Sequence, residues 1–167
     1  MSYIIKIPSI EEMNKRWNYL INNKENLEDQ YNWIIWKEKA IDNFVSGKTI
    51  PYYGFLNDEI ICEATVILDE SIVENPVDLV SDKRAYLSAF RTNKEYEGQG
   101  YFSKLFKYMI NDLKDKGYEE ACLGVEPVEK RNIEIYTHLG FTNYLKKEIN
   151  TYPDGTEVEV DFYSKRL

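Results

Sequence analysis

The sequence predicts a mixed α/β fold in which about seven strands and about four helices follow one another along the chain. Three observations carry this prediction: short runs rich in β-branched and aromatic residues, turn residues between those runs, and apolar residues at helical spacing in the intervening segments. The 167 residues suffice for one sizeable core and are few for two, so a single domain over residues 1–167 is expected.

The N-terminal third of the chain predicts one strand and two helices. Residues 1–8 have the composition of a strand, and Ser9 followed by Glu12 forms a capping-box pattern that favours a helix over residues 9–22. After a polar break, apolar residues at roughly helical spacing predict a second helix over residues 27–45.

The middle of the chain predicts three strands and one loop. The β-rich runs 51–56 and 59–68 flank an Asn-Asp turn at 57–58, a sequence typical of antiparallel hairpins. Residues 69–82 are acidic and contain a proline, so we interpret them as a surface loop. Residues 84–92 predict a further strand.

The C-terminal half contains the clearest helical pattern. Between residues 101 and 116 the apolar side chains fall on one stripe, and Gly117 ends the pattern. That stripe consists of Phe102, Leu105, Phe106, Met109 and Leu113. The predicted order is completed by a strand over 120–125, a short helix over 129–139, and two strands over 141–149 and 157–165.

Composition and charge restrict the classes of partner and location. The formal net charge of -8 repels nucleic acid and anionic membranes and attracts cations, although acidity can also serve solubility alone. The apolar runs fall short of the roughly 20 residues of a membrane span, and the N-terminus lacks the pattern of a signal peptide. We therefore expect a cytoplasmic protein that binds neither nucleic acid nor membrane. Cys62 and Cys122 lie in strand-like runs and are expected as buried, reduced thiols.

The segment RTNKEYEGQGYF, residues 91–102, passes from a strand through a glycine-containing loop into a helix. Glycine lets the main chain approach an anion closely, and the first-turn N–H groups of a helix have no internal partner, so both favour phosphate binding. The first turn also lacks Asp and Glu, as expected where an external anion occupies the positive end of the helix dipole. An ordinary tight loop would also fit a G-x-G before a helix.

This loop resembles the pyrophosphate loop of the GCN5-related N-acetyltransferase superfamily, often called GNAT. The family pattern is Arg or Gln, two residues, Gly, one residue, then Gly or Ala, commonly after a Glu-Tyr pair such as the one at 95–96. Gly98 and Gly100 match this pattern. Glu97 stands where Arg or Gln is usual, and Phe102 stands where a small residue is usual.

A second landmark extends the resemblance over about residues 84–144. A short helix that ends in Tyr136, followed after three residues by Gly-Phe at 140–141, is similar to the family's next conserved element. The family's Asn usually lies about seven residues before that Tyr, where this chain has Glu129, and Asn132 is the Asn nearest to that position.

The resemblance implies a GNAT-like fold with a central, mostly antiparallel sheet of about seven strands and helices on both faces. It implies acetyl-CoA as the donor, without a metal ion, and direct transfer: a neutral amine attacks the thioester carbonyl, a tetrahedral oxyanion forms, and the CoA thiolate leaves. The loop amides would hold the pyrophosphate, and the preceding strand end would pair with the pantetheine arm. The implied coenzyme contacts are Arg91, Thr92, Glu97, Gly98, Gln99, Gly100, Tyr101, Phe102, Ser103 and Asn132.

Tyr136 and Glu63 are the candidate catalytic residues. Similar enzymes place at the position of Tyr136 the acid that protonates the departing thiolate; the alternative is a tyrosine that only packs in an amphipathic helix. Glu63 interrupts an apolar strand, so it reaches a cleft, finds a partner or lies solvated at an edge. In a cleft it could remove the acceptor's proton, which water could also do. His138, the only histidine, is interpreted as a surface residue.

Three aromatic residues lie on the second predicted helix, which in similar enzymes borders the acceptor cleft. Tyr31, Trp33 and Trp36 could form an acceptor wall that makes cation–π contacts with an ammonium group. Packing in the core is the alternative use for these side chains.

The sequence therefore predicts N-acetylation of a primary amine on a small, cationic acceptor, and it leaves open a homodimer formed through the C-terminal strands. The alternative function is a non-catalytic acyl-CoA-binding or ligand-sensing module with the same fold, motivated by Glu97, Phe102 and the displaced Asn. A P-loop kinase or NTPase is disfavoured because the pattern G-x-x-x-x-G-K-[ST] does not occur.

Overall fold

The computed structural model describes residues 2–167, in which seven strands alternate with four α-helices. The strands are β1 (Tyr3–Lys6), β2 (Thr49–Leu56), β3 (Glu59–Ile67), β4 (Arg84–Thr92), β5 (Glu120–Val125), β6 (Asn143–Thr151) and β7 (Glu157–Arg166). The helices are α1 (Ile10–Asn22), α2 (Gln30–Val45), α3 (Tyr101–Asp115) and α4 (Lys130–His138). None of these helices, within residues 2–167, is long and apolar enough to cross a membrane. The predicted mixed α/β class is confirmed.

The seven strands form one sheet in the order β1-β2-β3-β4-β5-β7-β6. The β4–β5 pair is parallel and every other neighbouring pair is antiparallel, which confirms the predicted mostly antiparallel sheet. The hairpin between β2 and β3 turns at Asn57 and Asp58, whose φ angles are 48° and 70°. Both residues tolerate the left-handed conformation that this two-residue turn requires.

Helices α1 and α2 cover one face of the sheet. The Ser9 hydroxyl accepts the N–H of Glu12 at 3.1 Å and the Glu12 carboxylate accepts the N–H of Ser9 at 2.9 Å, so the predicted capping box starts α1. Residues 24–29 form a 3-10 helix, and α2 therefore begins at Gln30 rather than at Leu27. The core on this face consists of Met13, Trp17, Leu20, Tyr53, Phe55 and Ile60.

Helix α3 covers the opposite face. Tyr52 and Ile61 are the sequence neighbours of Tyr53 and Ile60, and they pack in the cluster that contains the apolar stripe of α3. Successive side chains of a strand point to opposite faces, so the two clusters place helices on both sides of the sheet, as predicted.

The segment between β3 and β4 is only in part the surface loop that its acidity predicts. Leu79 in this segment is fully buried and packs against Cys122, Val160 and Phe162. The thiol of Cys122 donates a hydrogen bond to the Leu79 carbonyl at 3.1 Å. The part of the sheet that α1 and α2 do not reach needs an apolar cover, and this segment supplies it. Both cysteines are free and buried, as expected.

Strands β4 and β5 separate at their carboxyl ends. Their pairing ends at Leu87 opposite Leu123, whereas β4 remains paired with β3 as far as Thr92. A register shift between β3 and β4, together with a φ of 57° at Ala89, marks a bulge in β4. A gap therefore opens in the middle of the sheet, and the last residues of β4 have no strand partner on that side.

Candidate active site

The loop before α3 presents main-chain N–H groups to one side of this gap. Gly98 and Gly100 have φ angles of 73° and 87°, a left-handed conformation that favours glycine. The N–H of Lys104 makes the first hydrogen bond of the helix, to the Gly100 carbonyl at 3.2 Å, so the preceding amides have no acceptor within the helix. The side-chain amide of Gln99 donates to the Glu95 carbonyl at 2.9 Å and braces the turn. Because the first turn carries no carboxylate, this end of α3 is suited to an anion.

A groove of about 310 Å³ runs from this loop to α4. Its walls come from the end of β4, the loop with the first turn of α3, and α4, so two short segments of chain build nearly all of it. The lining residues are Phe90, Arg91, Thr92, Tyr96, Glu97, Gly98, Gly100, Tyr101, Phe102, Ser103, Arg131, Asn132, Ile135, Tyr136, His138 and Leu139. The free amides at one end and the unpaired edge of β4 along the side fit a long ligand with a diphosphate and an amide-containing arm.

Tyr136 lies on α4 and faces this groove. Its ring packs edge-on against Phe90, with 5.7 Å between the ring centroids. Burial, with a smaller contribution from the charge of Glu129, raises the pKa of the Tyr136 phenol to about 12, and Arg91 opposes the shift. The hydroxyl therefore keeps its proton at neutral pH and can donate it or hydrogen-bond to a developing anion.

A second cavity, of about 500 Å³, lies on the α1–α2 face of the sheet. We call it the acceptor cavity because Trp36, which the sequence analysis considered for an acceptor wall, is among its lining residues. Side chains from α1, α2 and β2 to β5 form its floor and one wall, and the hairpin between β6 and β7 forms the other wall. Its most informative lining residues are Trp17, Trp36, Tyr53, Glu63, Arg91, Glu126, Glu129 and Tyr152.

The two cavities meet at Arg91. This residue lines both of them, at the point where β4 has left β5. Its guanidinium lies over the rings of Trp17 and Trp33, at 5.1 and 5.0 Å from their centroids, so two aromatic residues and an ion pair hold it in place. Arg91 is therefore the residue that the two cavities have in common, next to the gap in the sheet.

Glu63 is the centre of a buried ion-pair network. Glu63 is 1% exposed and Arg16 is 2% exposed. The Glu63 carboxylate pairs with Arg16 and, at 2.8 Å, with Arg91. Arg16 also donates to the Asn93 side chain at 2.6 Å and ties α1 to the chain that follows β4. The possibility of a solvated Glu63 at a sheet edge is therefore wrong. Glu63 reaches the cleft and is partnered at the same time, because its two oxygens each bind a guanidinium.

The outer wall of the acceptor cavity carries carboxylates whose hydrogen-bond donors are neutral. Glu126 accepts from the Tyr152 hydroxyl at 3.0 Å, and Glu129 accepts from the Asn132 amide at 2.7 Å. Burial, followed by the bond to Glu126, raises the pKa of Tyr152. The Tyr152 ring packs edge-on against Trp36, at 5.2 Å between centroids. This wall combines negative charge with aromatic faces.

Helix α2 holds the hairpin in position over the acceptor cavity. The buried Asn32 side chain accepts the main-chain N–H of Asp154 at 2.9 Å, across 122 positions in the sequence. Asn150, Tyr152, Val158 and Val160 thereby close one side of the cavity. The sequence contains no local signal for this contact.

The structure brings together most of the predicted coenzyme contacts. Nine of them line the groove together with Tyr136: Arg91, Thr92, Glu97, Gly98, Gly100, Tyr101, Phe102, Ser103 and Asn132. The side chain of Gln99 supports the turn instead, whereas Glu63 lies at the other cavity. His138 is exposed, as predicted, although it also borders the groove.

The three aromatic residues of α2 have different positions. Trp36 lines the acceptor cavity, Trp33 packs on Arg91, and Tyr31 is 61% exposed. The acceptor-wall interpretation therefore applies to Trp36 alone. Arg16, which sequence reasoning missed, had a signal, because it stands among Met13, Trp17 and Leu20 on the buried stripe of α1.

Sequence reasoning also missed Arg131, Glu126 and Tyr152, because only the tertiary structure places them at the two cavities. No cluster of three or more His, Cys, Asp or Glu side chains within residues 2–167 is arranged to hold a metal ion.

The sheet, the groove and the second cavity define the class of the protein as a coenzyme A-dependent acyltransferase. The family model described as "Acetyltransferase (GNAT) family" matches residues 8–141. The chain therefore belongs to this family, and its architecture is that of an acetyl-CoA-dependent N-acyltransferase.

A curated relative is similar over part of the chain. It is N-alpha-acetyltransferase 30 of Schizosaccharomyces pombe, 32% identical over 74 residues, which are 44% of this chain and 49% of the relative. The match thus spans about half the length of that relative.

Solved acetyltransferases share the whole fold at low sequence identity. An acetyltransferase of the GNAT family from Streptococcus pneumoniae has a TM-score of 0.67 at 17% identity, covering 99% of this chain and 100% of the other. A Salmonella typhimurium acetyltransferase that modifies the N-terminal serine of ribosomal protein L7/L12 has a TM-score of 0.73 at 12% identity, with 100% and 96% covered. The microcin C7 self-immunity acetyltransferase, in complex with acetyl-CoA and AMP, has a TM-score of 0.70 at 13% identity, with 99% and 92% covered.

Proposed function

We propose that the protein transfers the acetyl group of acetyl-CoA directly to a primary amine of a small, cationic acceptor. One observation carries the proposal: two cavities on opposite sides of the sheet meet at Arg91, where β4 and β5 separate. One cavity suits the coenzyme and the other suits an amine. In this proposal the amine attacks the thioester at the gap, so the transfer needs no covalent enzyme intermediate.

The groove residues bind the donor and assist its leaving group. When bound, acetyl-CoA supplies a thioester whose carbonyl is open to an amine and whose sulfur leaves as a thiolate. The loop amides from Gly98 to Ser103 hold the diphosphate at the positive end of α3. Tyr136, with its proton retained by burial, donates to the sulfur as negative charge develops there.

The charge of the acceptor cavity supports a cationic acceptor. Glu126 and Glu129 have only neutral hydrogen-bond donors, so their negative charge remains available to an ammonium group. The rings of Trp36 and Tyr152 lie on the same wall and offer cation–π faces. Lys39 is the one lysine that lines this cavity within the described residues, and it lies on α2.

The acceptor must lose a proton before it attacks, because an ammonium group has no free electron pair. Glu63 remains the candidate base from the sequence. Its two oxygens already bind Arg16 and Arg91, so we favour water in the cavity as the direct proton acceptor. In this proposal Glu63 positions Arg91 at the junction of the two cavities.

The proposal is tested by calorimetry with acetyl-CoA, followed by a thiol-release assay against polyamines, aminoglycosides, amino acids and peptides. We expect coenzyme binding and thiol release with the multiply charged small amines. Release with peptides alone would replace the small acceptor by a protein N-terminus, which the name of the curated relative makes the natural rival. Coenzyme binding without release on any acceptor would favour the non-catalytic module.

Two further properties are proposed with this function. Residues 1–167 act as a single acetyltransferase domain, supported by the one continuous sheet.

A homodimer through the C-terminal strands is supported by Tyr144 and Ile149, exposed apolar residues on the edge strand β6. Sedimentation velocity over a range of concentrations tests the dimer, and a monomer throughout would contradict it. Cytoplasmic location remains a prediction from the sequence.

A further inference from the structure

An ion pair crosses the coenzyme groove between the loop and α4. Glu97 ends the turn before Gly98, and Arg131 lies in the first turn of α4. The guanidinium Nη2 and the carboxylate Oε2 are 3.1 Å apart, with the Arg131 side chain 75% and the Glu97 side chain 37% exposed. Both residues line the groove, so the pair lies beside the amides that suit a diphosphate.

Glu97 places negative charge where the ligand is itself an anion. A carboxylate beside the unpartnered amides of the α3 N-terminus would repel a diphosphate, unless a cation neutralises it. Only two arginines line the groove within the described residues, and Arg91 is held by Glu63 and two tryptophans. Arg131 is the groove cation that is free to move, because its side chain is largely in solvent.

An exposed ion pair is weak, since solvent screens it and both side chains lose freedom to form it. A guanidinium forms stronger, two-pronged hydrogen bonds with a phosphate, whose oxygens match its fork of donors. A diphosphate next to Gly98 would therefore compete successfully with Glu97 for the same guanidinium. Glu97, already partly exposed, can turn its carboxylate into water.

We propose that Arg131 exchanges Glu97 for the coenzyme diphosphate and is the mobile phosphate-binding cation of this enzyme. Free of ligand, the Glu97–Arg131 pair spans the groove; with the coenzyme bound, Arg131 contacts the diphosphate and Glu97 faces solvent. The inference extends the coenzyme site of the proposed function with a residue that lies outside the loop.

The test measures the affinity for CoA by calorimetry in single and double variants. We expect Arg131→Gln to weaken CoA binding by about tenfold, through loss of a charge-assisted phosphate contact. Lys130→Gln is the matched control, because it removes the same charge from the adjacent exposed position outside the groove, and its affinity should stay within about twofold. Glu97→Gln should bind CoA about threefold more tightly, because a competitor and a repulsive charge are removed, whereas Glu95→Gln should not.

The double variant Glu97→Gln with Arg131→Gln separates phosphate binding from mere neutralisation of Glu97. If Arg131 contacts the diphosphate, the double variant binds about tenfold more weakly than Glu97→Gln alone. Equal affinity of these two variants would overturn the proposal. Thermal unfolding of each variant verifies that the protein is folded, and the exposed pair should contribute little to stability.

A titration with 3′-dephospho-CoA distinguishes a contact of Arg131 with the diphosphate from one with the 3′-phosphate. The proposal expects the same loss of affinity for this ligand as for CoA, because both carry the diphosphate. A loss confined to CoA would assign Arg131 to the 3′-phosphate and overturn the exchange with the diphosphate. If the unaltered protein binds no CoA, the proposed function itself fails. That outcome differs from one in which the protein binds CoA and all variants bind it with equal affinity.

Discussion

The coenzyme groove and the acceptor cavity differ in how the chain builds them. The groove comes from two short segments, residues 90–103 and 131–139. The acceptor cavity takes its lining from positions scattered between Met13 and Val160, on helices α1 and α2 and strands β2 to β7. One site is therefore local in sequence, and the other exists only after the sheet and its helices have assembled.

The chemistry of the two sites differs in the same way. The groove offers main-chain amides and an unpaired strand edge, which need glycine at two positions and tolerate many side chains elsewhere. The acceptor cavity depends on particular side chains, with Glu63 between two arginines and the Tyr152–Glu126 bond on the far wall. The groove thus depends mainly on main-chain conformation, whereas the second cavity depends on side-chain contacts between residues that are distant in the sequence.

Glu63→Gln should give the largest effect, and it tests whether the acceptor side depends on its buried charges. Removal of this carboxylate leaves Arg16 buried without a counterion, and breaking a buried pair costs about 3 to 5 kcal/mol. In a domain of this size we expect the melting temperature to fall by roughly 6 to 20 °C. Chemical and thermal unfolding measure the change.

Glu126→Gln is the matched control, because it changes a carboxylate of the same cavity whose donor is neutral. It should cost less than about 1 kcal/mol, since the amide retains an acceptor oxygen. Equal destabilisation by the two substitutions would remove the distinction between the charge network and the outer wall.

Tyr136→Phe should produce the next largest effect, on turnover. Loss of the proton donor lowers kcat by about 100-fold or more, with acetyl-CoA affinity within about twofold, because the ring still packs on Phe90. Steady-state kinetics and calorimetry separate the two quantities. Tyr144→Phe, at an exposed position on β6, is the control. Unchanged turnover in Tyr136→Phe would remove this residue from the mechanism.

The pH profile gives an independent measure of Tyr136. Because burial raises the pKa of this phenol to about 12, the protonated form persists throughout the neutral and mildly alkaline range. Turnover should rise with pH as the acceptor loses its proton. At pH values below about 10, ionisation of Tyr136 should not reduce turnover. A decline near neutral pH that is absent from Tyr136→Phe would contradict the raised pKa.

Gly98→Ala should have the smallest effect, and it tests whether donor binding depends on the main chain. At a φ of 73° a side chain is strained by about 1 to 2 kcal/mol, although its Cβ would meet no atom within 4 Å. The new methyl group would occupy the groove and weaken CoA binding about tenfold, equivalent to about 1.4 kcal/mol. Differential scanning calorimetry and titration with CoA measure both quantities.

Gly155→Ala provides the comparison, because this glycine has a φ of 90° and equally open space in the hairpin turn. It should lose similar stability and leave CoA affinity unchanged. If both glycine variants bind CoA equally well, the loop amides are not the main contact of the coenzyme.

The sequence by itself determined the fold class, the order of the elements and the position of the glycine loop. Capping at Ser9, the Asn57–Asp58 turn and the stripe of α3 are local patterns, in which the residues that interact are neighbours in the chain. The glycine loop could be recognised for the same reason, since its two left-handed glycines and the helix that follows them are neighbours in the chain.

Only the tertiary structure decided how the second cavity is built. Sequence reasoning left three positions open for Glu63, because its partners lie 47 and 28 residues away. It could not show that Arg131 reaches Glu97 across 34 residues, or that Asn32 anchors the hairpin across 122. Side chains so distant in sequence meet through the order of strands and the separation of β4 from β5, which no local periodicity encodes.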